Sequence, residues 1–281
     1  MFENSESISV LRTVDHRRRF LIMIRCGSGV RPTIFRDPLP DDRNFDVAVN
    51  YFSPPHPDDY FHQGAEFLIA GGLSKFQAAK QLAHAGYIDT YEGLYLLDDD
   101  IELHFDPSEF LEYCADKGFA MAQAALTHPS DGAWRITYHH PGFEYRLTNF
   151  VEVMAPFFST NFLMNVVEQF DVSVSTYGLD VLWGSMLEDD QAAGIIDRFQ
   201  MSHLRKRNFS GAFYAYLKSS GIDCFAEMKN VLTMLGIDSY EIRLKGGAEI
   251  VESVRVESMA APSNRIAMAS APGSRNGVGE P

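Results

Sequence analysis

The run Leu94-Tyr95-Leu96-Leu97-Asp98-Asp99-Asp100 constrains the chain more than any other segment, because four apolar or aromatic residues with strand character deliver three consecutive carboxylates to one strand end. Like charges so close repel one another unless solvent, a cation or hydrogen bonds compensate them. Carboxylate oxygens suit Mg²⁺ or Mn²⁺, and such an ion can bridge protein to the phosphates of a nucleotide. The competing reading is an acidic turn whose last aspartate caps the next element.

Apolar strands alternate with helices around this run. Arg19–Arg25 reads as a first strand ending in the turn Cys26-Gly27-Ser28-Gly29, and Phe45–Phe52 as a second that stops at the Pro-rich loop 53–57. Glu66–Ala70 is a short third strand. Gly71-Gly72-Leu73-Ser74 then leads into a helix over Lys75–His84, with Ser74 as its N-cap. Beyond the acidic strand, Asp106-Pro107 opens a helix to about Lys117, and Ala120–Leu126 is a further strand. Residues 127–148, with Trp134, His139 and His140, read as a long loop of the kind that often serves function.

Phe150–Phe158 reads as a buried strand carrying one charge, Glu152, and is followed by a helix from Ser159 or Thr160 to about Phe170. Tyr177-Gly178-Leu179-Asp180 opens another helix, and Ala193–Phe199 is a last strand running toward His203. Phe213–Met234 is helical in pattern. The spacing predicts a polar N-terminal segment over 1–18, a folded domain over 19–245 and a disordered tail over 246–281. Alternating elements place the body in the α/β class, whose ligands gather at the carboxyl ends of the strands.

Composition narrows the chemistry. With 46% hydrophobic residues in 281, the chain can bury a substantial core. Its 24 basic and 38 acidic side chains give a net charge of −14, which argues against nucleic acid as a partner and favours a bound cation. Arg17-Arg18-Arg19 and Arg205-Lys206-Arg207 read first as solvated flanks, and as the alternative either faces a phosphate or an anionic membrane. Cys26, Cys114 and Cys224 are odd in number and far apart, so neither a disulfide framework nor a Cys-rich zinc site is indicated and a reducing compartment fits. With no signal-peptide pattern and no transmembrane segment, the expectation is a cytoplasmic protein, peripheral to a membrane at most.

The order of these motifs resembles a family. The strand, the Gly-Gly-x-Ser-Lys helix at 71–75, the Tyr-Leu-Leu-Asp-Asp-Asp strand at 95–100, Val-Glu-Val-Met-Ala-Pro-Phe-Phe-Ser at 151–159 and Tyr-Gly-Leu-Asp at 177–180 look like the glycosyltransferase-like proteins called domain of unknown function 707. The likeness covers roughly residues 20–210 by element order and motif. It implies the GT-A fold, a nucleotide-diphospho-sugar transferase architecture with a Rossmann-type mixed sheet flanked by helices. Its Asp-x-Asp holds Mn²⁺ or Mg²⁺ against the sugar-nucleotide donor.

Carried over, Asp98 and Asp100 are the metal carboxylates, and Asp99 contacts ribose or structures the turn. On an extended strand Asp98 and Asp100 face one side and Asp99 the other. His203 resembles the further metal ligand of many such enzymes; its competing reading is a surface histidine beside the basic run. Asp180 is the candidate base for an inverting displacement, or else a helix cap. Tyr177 stands where the family often has Trp. Glu152 is costly if buried unpaired, so it meets a cation or a donor or faces the acceptor.

Lys75, Arg25 and Ser28 can line the donor's nucleotide and diphosphate, and His139 and His140 the acceptor. The acceptor itself is a glycan, a lipid-linked intermediate or a small molecule, with polysaccharide biosynthesis as the setting. Two rival readings remain: a non-catalytic sugar-nucleotide or glycan-binding module on the same fold, and an Fe(II)/2-oxoglutarate oxygenase using His104, Asp106 and His203.

Overall fold

The computed structural model describes residues 6–15, 17–27, 29–52, 59, 63–130, 132, 134–205 and 211–249. The chain divides into two units, Met1–Glu249 and Ile250–Pro281, and the second lies outside the described residues. In order, the elements are β1 (Ile8–Arg12), β2 (Phe20–Cys26), β3 (Phe45–Tyr51), β4 (Phe67–Gly71), α1 (Lys75–His84), β5 (Gly93–Asp98), β6 (Ile101–Leu103), α2 (Pro107–Asp116) and β7 (Phe119–Leu126). There follow β8 (Phe143–Thr148), β9 (Phe157–Ser159), α3 (Thr160–Val166), α4 (Leu179–Ser185), β10 (Ala192–His203), α5 (Ala212–Ser219), α6 (Cys224–Met234) and β11 (Leu244–Glu249).

Among the described residues these strands form one mixed sheet, β1-β4-β3-β2-β5-β9-β7-β10-β8-β11, with β6 paired to β10. Strands β4, β3, β2 and β5 are mutually parallel. Short β9 runs antiparallel between β5 and β7, which restores the direction at β7, and β10 is parallel to β7. The carboxyl ends of β2, β3, β4, β5, β7 and β10 therefore share one edge. This is the α/β class that the alternating pattern predicts.

The apolar runs are continuous because helices cover both faces of the central strands. Along β2 and β5, Phe20, Ile22, Ile24, Tyr95 and Leu97 pack with Phe110 and Leu111 of α2 on one face, while Leu21, Met23, Leu94 and Leu96 pack with Phe76 and Leu82 of α1 on the other. Trp183 of α4 anchors that second face, with ring centroids 5.0 Å from Phe76, 5.0 Å from Phe158 and 5.7 Å from Phe170. Such aromatic contacts are worth about 0.5–1.5 kcal/mol each beyond their buried area. They fix the helix whose first turn carries Asp180.

Several elements depart from the sequence expectation. The segment read as polar, 1–18, contributes β1, which pairs antiparallel with β4. At the other end β11 crosses the expected boundary at 245 and pairs with β8. Strand β8 lies inside the expected long loop. The strand expected over Phe150–Phe158 is regular only from Phe157, because Pro156 has no N–H for a ladder; the carbonyls of Met154 and Pro156 still accept from the N–H groups of Asp98 (3.1 Å) and Leu96 (3.0 Å). Arg18, read as a solvated flank, holds the fully buried Asp46 at 2.8 Å. No helix among the described residues is long and apolar enough to cross a membrane.

Gly184 in α4 makes a stability prediction. A Cβ there falls inside the contact radius of the Asn149 carbonyl oxygen and the Tyr240 hydroxyl, so Gly184→Ala must push α4 off its seat. Overpacking of this kind costs about 3 kcal/mol. Urea midpoints of the two proteins measure it, and unchanged midpoints would contradict the close approach.

Candidate active site

The strand order contains a switch point. From β2 the chain winds outward through β3 and β4, then returns through α1 to place β5 on the opposite side of β2. Open α/β sheets bind ligands in the crevice beyond the carboxyl ends at such a point. The last paired residues there are Arg25 on β2 and Asp98 on β5.

Arg25 reaches across the ends of β3 and β4, donating to Asn50 Oδ1 at 2.6 Å and to the carbonyls of Gly71 and Gly72 at 3.3 and 2.7 Å. Both glycines hold positive φ, 92° and 78°, where a β-carbon would be strained. None of these acceptors carries charge. Burial lowers the Arg25 pKa to about 10, with the negative charge of Asp98 opposing the shift.

Lys75 is the first residue of α1, whose N-cap Ser74 accepts from the Gln77 N–H at 3.1 Å as expected. A cation in the first turn opposes the helix dipole, and Lys75 is also buried at 4% exposure. Its Nζ donates to Asp98 Oδ1 and to the Met154 carbonyl, each at 2.7 Å. Burial lowers its pKa and Asp98 pulls the other way. The Asp98 side chain is 42% exposed, so the pair opens onto the sheet edge. Buried Lys75 and half-buried Arg25 thus flank one half-exposed carboxylate, an arrangement that attracts anions despite the acidic chain.

Strand β5 ends at Asp98, and Asp99 and Asp100 form the turn into β6, so the alternation expected to carry Asp98 and Asp100 to one side stops short. Asp99 and Asp100 share Arg205 instead: its Nε lies 2.8 Å from Asp100 Oδ2, and its Nη2 donates to Asp99 Oδ1. His203, the last residue of β10, places Nε2 at 3.1 Å from the same Asp100 oxygen. The antiparallel β6–β10 pair sets that contact, with Ile101 opposite His203 and the Leu204 N–H donating to the Asp100 carbonyl at 2.9 Å.

Among the described residues no three His, Cys, Asp or Glu side chains stand ready-grouped for a metal. The chemistry of Asp100 and His203 nevertheless fits a hard divalent ion. Ligands at about 2.1 Å and near a right angle lie about 3 Å apart, which matches their separation.

Met154 connects this edge to a second acidic group. Two residues before it, the Glu152 N–H donates to Gln123 Oε1 at 2.6 Å, and Thr137 Oγ1 lies 3.5 Å from Glu152 Oε2. Asp180 is buried in the first turn of α4 behind Gly178, a left-handed N-cap at φ 88°, and its Oδ1 accepts from the Val181 N–H at 2.9 Å. Burial pushes Asp180 up to about 7; the Val181 hydrogen bond opposes this, and the Glu152 charge adds to it. Tyr240 shares the neighbourhood: its hydroxyl donates to the Asn149 carbonyl at 2.8 Å, and burial, reinforced by Asp180, raises it to about 12.

The other expected residues stand elsewhere. The Tyr177 ring meets Phe225 of α6 edge-on at 5.8 Å, and its N–H donates to Ser175 Oγ at 3.4 Å. His139 and His140 attach to Asp197 of β10, which also holds Arg146: His139 Nδ1 lies 3.8 Å from Asp197 Oδ1, and the His140 N–H donates to that oxygen at 2.7 Å. Ser28 lies outside the described residues. The oxygenase triad is not assembled, since His104 Nε2 faces Ser202 Oγ at 2.7 Å, Asp106 accepts from the Ser108 N–H at 2.8 Å as the cap of α2, and His203 faces Asp100. The half-parallel sheet is also not the antiparallel barrel that chemistry requires. Arg205, Gln123 and Tyr240 join the site without any local signal; only the fold brings them there.

No family model matches the chain, and no curated protein does. Solved structures similar to the chain include three with the following measures of likeness. A197 from STIV matches at 12% identity over 67% of this chain and 86% of that one, with a TM-score of 0.41. GalNAc-T7 with UDP, GalNAc and Mn²⁺ matches at 8% identity over 77% and 50%, with a TM-score of 0.49. S. aureus TarS 1-349 matches at 10% identity over 79% and 67%, with a TM-score of 0.48. All three scores lie below 0.5, so the description of the fold rests on strand order and register.

Proposed function

We propose that the chain is a metal-dependent glycosyltransferase of the GT-A type, moving a sugar from a nucleotide-diphospho-sugar to an acceptor hydroxyl with inversion. The observation that carries this reading is the meeting of Asp100 with His203 beside the switch point, next to buried Lys75 and half-buried Arg25. Asp100 and His203, with Asp98 alongside, would hold Mn²⁺ or Mg²⁺. When bound, the ion supplies Lewis-acid stabilisation of charge developing on the leaving diphosphate.

The chain's own residues supply the rest. Lys75 and Arg25 hold positive charge near the same phosphates, and burial makes that charge more effective than in water. Asp180, whose carboxyl titrates near neutrality, takes the proton of the acceptor hydroxyl as that oxygen bonds to the anomeric carbon and the bond to the diphosphate breaks. Glu152 stands on the acceptor side in this reading, with Thr137 Oγ1 3.5 Å from its Oε2. The acceptor class is a glycan, a lipid-linked intermediate or a small molecule, and the three free cysteines support a cytoplasmic setting.

A thermal-shift screen against UDP-, GDP-, CMP- and dTDP-sugars, with and without Mn²⁺, tests this. Donor at about 100 times its dissociation constant adds about 2.7 kcal/mol, which raises the midpoint on the order of 5 °C. The expected result is a shift that needs both metal and one donor class. A donor shift with no turnover on any acceptor would favour the non-catalytic module, a reading supported by the way Asp180 meets the α4 N-terminus. No shift with any donor would remove the transferase reading.

A further inference from the structure

We infer that Arg205 is a built-in competitor for the divalent cation, occupying the carboxylates of Asp99 and Asp100 and thereby setting how tightly the cation binds. The inference rests on the metal site proposed above and adds Arg205, which the sequence shows as the start of a short basic run.

Four observations support it. Arg205 touches two carboxylates at once, with Nε 2.8 Å from Asp100 Oδ2 and Nη2 on Asp99 Oδ1. The oxygen it takes on Asp100 is the one facing His203 Nε2 at 3.1 Å, so guanidinium and cation need the same atom. The two carboxylates are nearly buried, at 6% and 12% side-chain exposure, whereas the Arg205 side chain is 59% exposed. Arg205 can therefore swing out into water without opening the core. Finally, among the described residues Lys75 Nζ is held on Asp98 Oδ1 at 2.7 Å, and Arg205 is the Lys or Arg paired directly with Asp99 and Asp100.

Two cations drawn to one carboxylate oxygen repel each other, and they do so more strongly at a partly desolvated site. Cation binding at Asp100 must then displace Arg205, at least from Nε. The cost is the loss of charge-assisted hydrogen bonds, and the apparent affinity for the ion falls by the equilibrium constant for that release. The planar guanidinium fork matters here, since it spans both aspartates where an ammonium would meet one.

The test is a Mn²⁺ titration of the full chain without donor, with free ion followed by electron paramagnetic resonance, on the native protein and on Arg205→Gln, Arg205→Lys and Asp100→Asn. Hydrogen bonds to charged groups are worth about 1.5 kcal/mol or more, so Arg205→Gln should bind Mn²⁺ about tenfold more tightly. Arg205→Lys should fall between it and the native protein, and Asp100→Asn should lose binding. Melting curves without metal should show the Arg205 variants folded, as its exposure implies. Equal affinity in native protein and Arg205→Gln, with Asp100→Asn deficient, overturns the competition while leaving the metal site in place. Weaker binding by Arg205→Gln overturns it too, and makes Arg205 a supporter of the bound ion. Absence of Mn²⁺ binding in every protein removes the metal site and the competition together.

Discussion

Asp100→Asn is expected to lower kcat/KM on the order of 10²–10⁴-fold while leaving the fold intact. Asp100 is where two distant parts of the chain meet: its Oδ2 faces both His203 at the end of β10 and Arg205 just beyond. Metal stabilisation of a leaving group supplies several kcal/mol, and each 1.36 kcal/mol is tenfold in rate, which sets that range. The stability cost should be modest because the Arg205 partner is 59% exposed. Asn also keeps the backbone carbonyl that accepts from the Leu204 N–H.

Asp98→Asn should behave differently. It removes the charge opposite buried Lys75, so it should lower the melting temperature as well as activity. Steady-state kinetics with melting curves on both variants separates the two roles. Full turnover by Asp100→Asn would end the metal assignment, and identical stability losses would end the distinction between the two carboxylates.

The parts of this fold legible in sequence are those where local chemistry and tertiary fate coincide. The β2, β3 and β5 runs are buried on both faces, so they read as unbroken apolar stretches, and Ser74 and Asp106 cap the helices that follow them. Strand β8 escaped although Phe143, Tyr145 and Leu147 alternate with Glu144, Arg146 and Thr148, a period-two signal hidden beside the turn-rich stretch before it. The strand predicted over 150–158 failed at Pro156, where proline's missing donor outweighed apolar continuity.

At the site, Asp98, Asp100, Lys75 and His203 could be named from motif position. Their pairing could not. Whether Asp100 sides with Asp98 depends on where β5 stops, and that is decided by the antiparallel β6–β10 contact from far along the chain. Arg205 looked like any charge in a basic run until β10 delivered it to the acidic turn. His139 and His140 show the converse, since the expected loop is fastened at this point by the His140 backbone N–H on Asp197 and by Arg146 on Asp197 and the Tyr138 carbonyl.

Asp180→Asn should lower kcat steeply and stabilise the protein at the same time, a combination that a merely structural carboxylate does not give. Asp180 is buried and its pKa is raised to about 7, chiefly by desolvation, against about 4 in an unfolded chain. The native state therefore holds its proton more tightly than the unfolded state does. Its contribution to stability is at its best below pH 4, is lost as the pH rises toward 7, and stays lost above that.

Asn carries no charge at any pH, so the variant avoids this loss. Its advantage should be absent near pH 4, grow between 4 and 7, and reach up to about 4 kcal/mol at pH 8. Loss of the base should cost 10²–10⁴-fold in kcat, on the order seen for positioned proton acceptors, with donor binding in the presence of Mn²⁺ retained. Native kcat should itself rise with pH through about 7 as Asp180 loses its proton. Melting curves from pH 4 to 9 beside a kcat profile read all of this. Parallel stability curves for the two proteins would show that the carboxyl is not held protonated by burial. A stabilised variant with unchanged kcat would leave Asp180 an unfavourable buried acid and take the base away from the proposed mechanism.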